Sequence, residues 1–146
     1  MIGFLQRVTQ AEVAIDGDCV GRIDTGLMVL MGIRPEDTEA KAQALVERLL
    51  AYRVFPDAQG RMNRSLRDIA GGLLLVPQFT LCADTRRGLR PGFEGAARPE
   101  QAQPLFEVAC AHAHAVHSGV VASGRFGADM QVALINDGPV SFWLEV

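Results

Sequence analysis

The sequence predicts one α+β domain over residues 1–146, with a mostly antiparallel, curved or barrel-like sheet and two helices packed on one side. Three observations lead to this prediction. The first third sets apolar residues among polar and turn residues, as strands do. From residue 37 the apolar residues recur every three or four positions, as in an amphipathic helix. A chain of 146 residues that is 49% apolar and 21% charged can build one core but not two domains side by side.

The first third predicts three strands. The turn Asp16-Gly17-Asp18 joins the first strand to a return strand at residues 20–23, which makes a hairpin. After a turn at Thr25-Gly26, residues 27–33 are continuously apolar, as in a strand that is covered on both faces. The apolar positions of the first strand are Ile2, Phe4, Val8, Val13 and Ile15.

The middle of the chain predicts a helix over residues 37–52, followed by a loop at residues 56–60. Gly71-Gly72 then leads into the run LLLVPQFTLC, a buried strand with Pro77 inside it. Because proline has no N–H to donate to a neighbouring strand, we expect this strand to bulge, end or lie at an edge at Pro77.

The last third predicts a second helix and a hairpin. A polar loop rich in Arg and Gly covers residues 83–98, and the helix covers residues 99–117 with Pro99 in its first turn. Residues 130–146 place strand patterns on both sides of Asn136-Asp137-Gly138-Pro139, which predicts a hairpin that turns at this sequence.

Charge and composition exclude several classes of protein. The formal net charge of −3 excludes a strongly basic nucleic-acid coat, although the seven Arg from Arg61 to Arg98 face only three acidic residues. This local excess fits either nucleic-acid contact or plain replacement of Lys by Arg in a high-GC genome. No apolar run approaches the ~18 residues of a membrane span, and the N-terminus lacks a signal-peptide pattern. We therefore expect a cytoplasmic protein with no membrane contact.

The cysteines and histidines predict neither a disulfide framework nor a metal site. The three cysteines are widely spaced, and only His114 and His117 of the three histidines share a helix face, with no carboxylate nearby to complete a ligand set. No His–Cys or Ser–His–Asp arrangement is recognisable. The residues concerned are Cys19, Cys82, Cys110, His112, His114 and His117.

Two segments stand out from the strand patterns. In Pro77-Gln78-Phe79-Thr80-Leu81 a core strand becomes polar at Gln78 and Thr80. The second segment is Asn136-Asp137-Gly138-Pro139-Val140-Ser141. Taken alone, the first fits an outward-facing polar pair on an edge strand and the second fits an ordinary hairpin turn.

Taken together, the two segments resemble the signature motifs S-Q-F-T-L and N-x-G-P-V-T of the D-aminoacyl-tRNA deacylase family. This sequence has Pro77 where the family has Ser, and Ser141 where the family has Thr. The resemblance runs the whole length of the chain. The other matching stretches are Gln6-Arg7-Val8, GLMVLMGI, Tyr52-Arg53-Val54-Phe55, Gly60-Arg61-Met62-Asn63, Arg90-Pro91, Gly124-Arg125-Phe126, Ala128-Asp129-Met130 and Phe142-Trp143-Leu144-Glu145-Val146.

The resemblance implies a homodimer that hydrolyses the ester between a D-amino acid, or glycine, and the 3′-terminal ribose of tRNA, with no metal and no cofactor. It places catalysis at Gln78, Phe79 and Thr80. An aminoacyl ester is already activated, so an oxyanion hole and a positioned water matter more than a strong nucleophile. We expect backbone N–H groups at Phe79 and Thr80 to form that hole, with Thr80 as a positioning hydroxyl and the substrate's 2′-hydroxyl assisting. Thr80 as nucleophile, and less well Cys82, are the alternatives.

The resemblance also implies how the enzyme selects its substrate. Gly138-Pro139 forms a cis peptide that enters the partner subunit's pocket and blocks an L side chain, and Arg7 holds this dipeptide by hydrogen bonds. The adenosine or aminoacyl pocket is implied to be lined by Ala102, Phe126 and Met130.

Two other functions remain open from the residues alone. One is a small oligomeric RNA-binding module that uses residues 61–98, for which salt-dependent tRNA binding without release of amino acid would speak. The other is a small-molecule hydrolase or imine deaminase of similar size, which would turn over free metabolites and ignore tRNA.

Overall fold

The computed structural model describes residues 1–86 and 88–146 and has an α+β fold, as predicted. Arg87, part of the predicted Arg-rich loop, lies outside the described residues. A 3₁₀ turn spans Phe79–Cys82. The strands are β1 (Ile2–Ile15), β2 (Asp18–Ile23), β3 (Gly26–Gly32), β4 (Phe55–Pro56), β5 (Met62–Arg64), β6 (Gly72–Pro77), β7 (Val121–Ser123) and β8 (Gln131–Glu145), and the helices are α1 (Glu39–Ala51), α2 (Leu66–Ile69) and α3 (Pro99–Val116).

The main sheet is mixed, so the prediction of a mostly antiparallel sheet needs correction. Its order is β2-β1-β3-β6-β7, and β8 also pairs with β1. β1 is antiparallel to β2, β3 and β8, but β3, β6 and β7 run parallel to one another. The chain passes through α1 between β3 and β6, and through α3 between β6 and β7, and such helical crossovers are what join parallel strands.

The C-terminal hairpin predicted for residues 130–146 is wrong. These residues form the single long strand β8, which is antiparallel to β1 along nearly its whole length. Ser141 pairs with Gln6 and Asn136 pairs with Val8. Between these two pairs, the four residues 137–140 have only Arg7 opposite them, so they bulge out of the pairing with β1. We call residues 137–140 the β8 excursion.

The predicted helices are α1 and α3, but a third helix, α2, was missed. Thr38 caps α1, since its hydroxyl accepts a hydrogen bond from the Lys41 amide at 3.4 Å. The four-residue α2 is too short to show a helical period, although Ser65 and Asp68 cap its start reciprocally. None of the helices in residues 1–86 and 88–146 is both long enough and apolar enough to span a bilayer.

The core has two layers, one on each face of the sheet. The larger layer lies under α1 and α3 and includes Leu45, Leu49 and Phe106. The smaller layer lies inside the curve of the sheet and includes Val13 and Leu74. β3 and β6 contribute to both layers, which explains why their sequences are continuously apolar.

Candidate active site

A cavity of about 640 Å³ opens where β6 ends. Its walls come from the end of β3, the end of β6 with the first residue of the 3₁₀ turn, the loop that leads into the start of α3, and the segment that enters β8. The residues predicted from the sequence that line it are Gln78, Phe79, Ala102, Phe126 and Met130. The cavity therefore brings together two of the three predicted catalytic residues and all three predicted pocket residues.

The strand ends at Pro77, as expected from its missing N–H. The next amide, of Gln78, donates to the Met31 carbonyl of β3 at 2.7 Å. Successive amides of a strand point to opposite edges, so the position without an N–H faces the β7 side. There β7 pairs only with Leu73–Leu75, and no ladder hydrogen bond is lost. Pro77 thus fits this strand end, where its side chain lines the cavity.

Two backbone amides are left without acceptors beside the cavity. The first N–H groups of a helical turn have no partner within the turn. Within residues 1–86 and 88–146, the N–H groups of Phe79 and Thr80 have no hydrogen-bond acceptor. Two adjacent free donors next to a cavity are a suitable arrangement for stabilising a developing negative charge.

The Thr80 side chain is exposed, and its hydroxyl oxygen accepts a hydrogen bond from Nε2 of the Gln78 side chain. A carboxamide cannot take up the hydroxyl proton as a base does. Among the described residues, Thr80 Oγ1 has no hydrogen bond to a histidine or a carboxylate. The local geometry therefore orients the hydroxyl but does not activate it as a nucleophile.

An aromatic pair stands at the edge of the cavity. Phe79 is 58% exposed and Phe93 is 41% exposed, and their rings meet edge to face with centroids 5.1 Å apart. Both residues line the cavity. Sequence analysis missed Phe93, although an aromatic residue in a polar, glycine-rich loop was an available signal.

The part of the cavity wall formed by Met130 lies close to Gly124. The Met130 sulfur accepts a hydrogen bond from the Arg125 amide at 3.4 Å. A Cβ atom at Gly124 would lie 2.7 Å from that sulfur, so a side chain at this position would require the Met130 side chain to move.

The thiols of Cys82 and Cys110 are poor nucleophiles. Cys82 is buried, and burial raises the pKa of its thiol, which contacts the Ile33 carbonyl at 3.5 Å. Burial also raises the pKa of Cys110, to about 11. Neither thiol is a thiolate at neutral pH, and only the thiolate is strongly nucleophilic.

The β8 excursion is held in place by several polar contacts. The Arg7 guanidinium, 12% exposed, donates to the Asp137 carbonyl at 2.9 Å and to the Val54 carbonyl at 2.6 Å. Asn136 accepts from the Val140 amide at 2.7 Å and so closes the excursion at its base. The Gly138-Pro139 peptide is cis and exposed, and Gly138 has a φ of +146°, which a side chain would strain.

Gly138, Pro139 and Arg7 are not brought to the cavity of their own chain. None of residues 136–141, all of which the structure describes, lines the 640 Å³ cavity. Asp137 instead borders a second cavity of about 510 Å³, together with Arg64 and Phe55. The two sequence motifs therefore occupy separate places within one subunit.

The histidines do not converge. His112 contacts Glu47 at 2.9 Å, and Arg67 binds the same carboxylate at 2.5 Å and lowers its pKa further than His112 does. His117 follows the end of α3 and contacts the Gly71 carbonyl at 2.7 Å. In the part of the chain that the structure describes, no group of three or more His, Cys, Asp or Glu residues is arranged to hold a metal ion.

Several arginines of the 61–98 segment are occupied by local partners. Arg61 pairs with Asp57 and Arg86 pairs with Asp84, at 3.7 and 2.8 Å. The Arg64 guanidinium donates to the Asp68 carbonyl at 2.9 Å. These contacts favour a structural use of much of the Arg-rich segment.

Comparison with known proteins identifies the family. The profile described as D-Tyr-tRNA(Tyr) deacylase matches residues 4–145. A D-aminoacyl-tRNA deacylase of Alkalilimnicola ehrlichii is 60% identical over 99% of this chain and 96% of its own length. The chain belongs to the D-Tyr-tRNA(Tyr) deacylase family. A second relative in this family, the D-aminoacyl-tRNA deacylase of Pseudomonas fluorescens, is 58% identical over 99% of both chains.

Two solved structures are similar to this chain over nearly its whole length. A structure described as a c-Myc DNA unwinding element binding protein is 36% identical and has a TM-score of 0.94, covering 100% of this chain and 99% of its own. A probable eukaryotic D-amino acid tRNA deacylase is 17% identical, with a TM-score of 0.84 over 99% and 98% of the two chains. The second likeness shows a shared fold.

Proposed function

We propose that this protein hydrolyses the ester between a D-amino acid and the 3′-terminal ribose of tRNA, and that it releases free amino acid and reusable tRNA. The observation that carries the proposal is the family match over residues 4–145. The cavity supports it, because the signature residues Gln78 and Phe79 lie on its wall beside two amides without acceptors. Glycyl-tRNA is a second substrate in this proposal, since glycine has no L side chain to reject.

The chemistry proceeds through backbone groups. Water attacks the ester carbonyl carbon, and the N–H groups of Phe79 and Thr80 stabilise the negative charge that develops on the carbonyl oxygen. The bond between that carbon and the ribose 3′-oxygen then breaks. The water's proton passes to the leaving 3′-oxygen with the help of the substrate's 2′-hydroxyl. Thr80 and Gln78 position the reacting groups, and no metal or cofactor takes part.

The apolar wall of the cavity receives the end of the substrate. Ala102, Phe126 and Met130 line it, and they suit a flat adenine ring or an apolar amino-acid side chain. The exposed Phe79 ring adds a stacking surface at the edge.

Selection for D-amino acids uses the partner subunit in this proposal. The β8 excursion is exposed, is anchored by Arg7 and lies outside the cavity of its own chain. In a homodimer, Gly138 and Pro139 of the partner subunit would enter the cavity and place backbone atoms where an L side chain would project. A glycine there leaves backbone atoms bare for close approach.

A stereochemical assay tests the activity. Purified protein is incubated with D-tyrosyl-tRNA and with L-tyrosyl-tRNA, and loss of the ester is followed for each. We expect rapid loss of the D ester only. Equal rates on the two esters contradict the proposal.

Mixed dimers test the cross-subunit site. Gly138→Ala damages only the excursion, and Phe79→Pro removes one of the two proposed amide donors at the cavity, so each variant alone should be nearly inactive. After the two variants are unfolded and refolded together, half of the dimers should be mixed, and one of their two sites should have both parts intact. About a quarter of wild-type activity should return. No recovery, from a mixture shown to contain mixed dimers, would place both parts in one subunit.

A further inference from the structure

Arg98 and Asp129 are the residues with a formal charge among the described residues that line the 640 Å³ cavity. The rest of the lining is apolar or uncharged, as in Phe126 and Ala102. Arg98 is exposed and forms no ion pair with Asp129 or with any other described acidic residue. The Arg98 guanidinium is therefore available to bind an anionic group at the rim of this mostly apolar cavity.

The backbone of Arg98 is held firmly on both sides. The amide of the preceding residue, buried Ala97, donates to the Ile33 carbonyl at 2.9 Å. The Arg98 carbonyl accepts from the amides of Gln101 and Ala102, at 3.0 and 2.9 Å, in the first turn of α3. Arg98 is thus a side chain of long reach on a fixed base, next to the positive end of an 18-residue helix.

We propose that Arg98 forms a phosphate subsite at the rim of the cavity, and that it binds the phosphodiester that joins the terminal adenosine to the preceding nucleotide. This proposal rests on the proposed function. An adenosine seated against Ala102, Phe126 and Met130 carries its nearest phosphate on the 5′ oxygen, outside the apolar wall. A guanidinium binds a phosphate through two parallel N–H donors, so Arg98 fits that group.

The test uses two esters that differ only in this phosphate. One is 3′-D-tyrosyl adenosine, and the other carries the same ester on the dinucleotide cytidylyl-(3′→5′)-adenosine. The wild-type protein should prefer the dinucleotide in kcat/KM. Arg98→Gln should lower kcat/KM for the dinucleotide about three- to tenfold and leave the adenosine ester unchanged. Arg98→Lys should keep part of the preference.

Arg22 provides the matched control. It is an exposed arginine of β2 paired with Glu12 at 4.0 Å and does not line the cavity. Arg22→Gln should leave both esters unchanged. Raising the salt concentration should reduce the dinucleotide preference of the wild type more steeply than that of Arg98→Gln. In a plot of the logarithm of this preference against the logarithm of the salt concentration, the two slopes should differ by about 0.7. A loss that is equal for the two esters, or no loss for the dinucleotide, overturns the proposal.

A binding measurement separates this proposal from the proposed function. Adenosine and adenosine 5′-monophosphate are titrated calorimetrically into the wild type and into Arg98→Gln, with no ester present. Tighter binding of the monophosphate that disappears in Arg98→Gln supports the subsite, even if neither ester is hydrolysed. Equal binding of adenosine and adenosine 5′-monophosphate by the wild type, or binding of neither, overturns the proposed subsite.

Discussion

Two interruptions of the sheet, one at the end of β6 and one within β8, are built in opposite ways. At the end of β6, Gln78 and Thr80 contact each other, and the amides of Phe79 and Thr80 have no acceptor among the described residues. The β8 excursion has almost no free polar group at its base, since Asn136 and Arg7 bind its backbone. The first borders a large cavity, and the second projects into solvent.

In the proposed function, this difference separates two tasks that one site performs. Stabilising a transient charge requires donors that no protein group has already used. Excluding an L side chain requires backbone atoms that do not move when they are pushed. A free turn beside a cavity meets the first requirement, and a turn bound on several sides meets the second.

The largest effect is expected when the excursion itself changes shape. Gly138→Ala places a Cβ atom 2.6 Å from a Val140 methyl group at a φ of +146°. Deacylation of D-tyrosyl-tRNA should fall by about a hundredfold or more, since a shift of ~1 Å at a site is enough for that loss. Gly17→Ala is the control, because Gly17 also has a positive φ but no atom within 4 Å of an added Cβ. Wild-type rates in Gly138→Ala, with folding confirmed by circular dichroism, would exclude the excursion from the site.

A smaller effect should follow when the anchor is removed and the excursion is left intact. Arg7→Ala removes the bonds to the Asp137 and Val54 carbonyls. We expect a lower ratio of D to L hydrolysis and a decrease of about 1–3 kcal/mol in the free energy of unfolding, because the carbonyl of buried Val54 loses its donor. Urea denaturation and paired D and L assays measure the two effects. Unchanged selectivity would show that the excursion needs no anchor.

Thr80→Val should lower activity only modestly, by less than about tenfold, because in the proposed mechanism backbone amides and not the hydroxyl carry the chemistry. Loss of an essential nucleophile costs about a millionfold instead. Single-turnover rates with D-tyrosyl-tRNA distinguish the two. An acyl adduct on Thr80 in the mass spectrum of the wild type would make it the nucleophile.

Pro77→Ser should change stability more than activity. The N–H that it restores faces the edge beyond the residues that pair with β7, and the side chain changes at only one position of the cavity wall. The unfolded chain gains freedom, and we expect a loss of about 0.4–1 kcal/mol in the free energy of unfolding. A large gain or loss of kcat would show that this position acts in the reaction.

Chelation is expected to have no effect at all. Neither the turn after β6 nor the excursion presents a cluster of metal ligands in the described residues. Activity should be the same after dialysis against EDTA as before it. If zinc restored activity that EDTA had removed, the histidines of α3 would need a new assignment.

The sequence predicted the individual strands and helices better than it predicted which strands pair and in which direction. Alternation and the Asp16–Asp18 turn predicted the β1–β2 hairpin, which depends on neighbouring residues. The parallel direction of β3 and β6 depends on where α1 crosses the sheet, and a continuous apolar run does not encode that. The β8 excursion looks like a hairpin turn locally, and only its pairing with distant β1 shows otherwise.

The site divides in the same way. Gln78, Phe79 and Met130, which the resemblance to the family pointed out, line the cavity. Arg98 and Phe93 also line it, and the sequence did not point them out because the segments that enclose the cavity come together only in the fold. A rim is formed by tertiary packing and has no pattern of its own in the sequence.

The pairing of β1 with β8 has a consequence for how the protein is made. Ile2 faces Glu145, so contacts along this ladder span nearly the whole chain. Such a high contact order slows folding, because the entropy of closing the longest loop is lost before the contacts form. During synthesis β1 leaves the ribosome first and waits with one edge open until the last strand follows. An unpaired strand edge can pair with another chain, so we expect the incomplete chain to be more prone to aggregation than the folded protein.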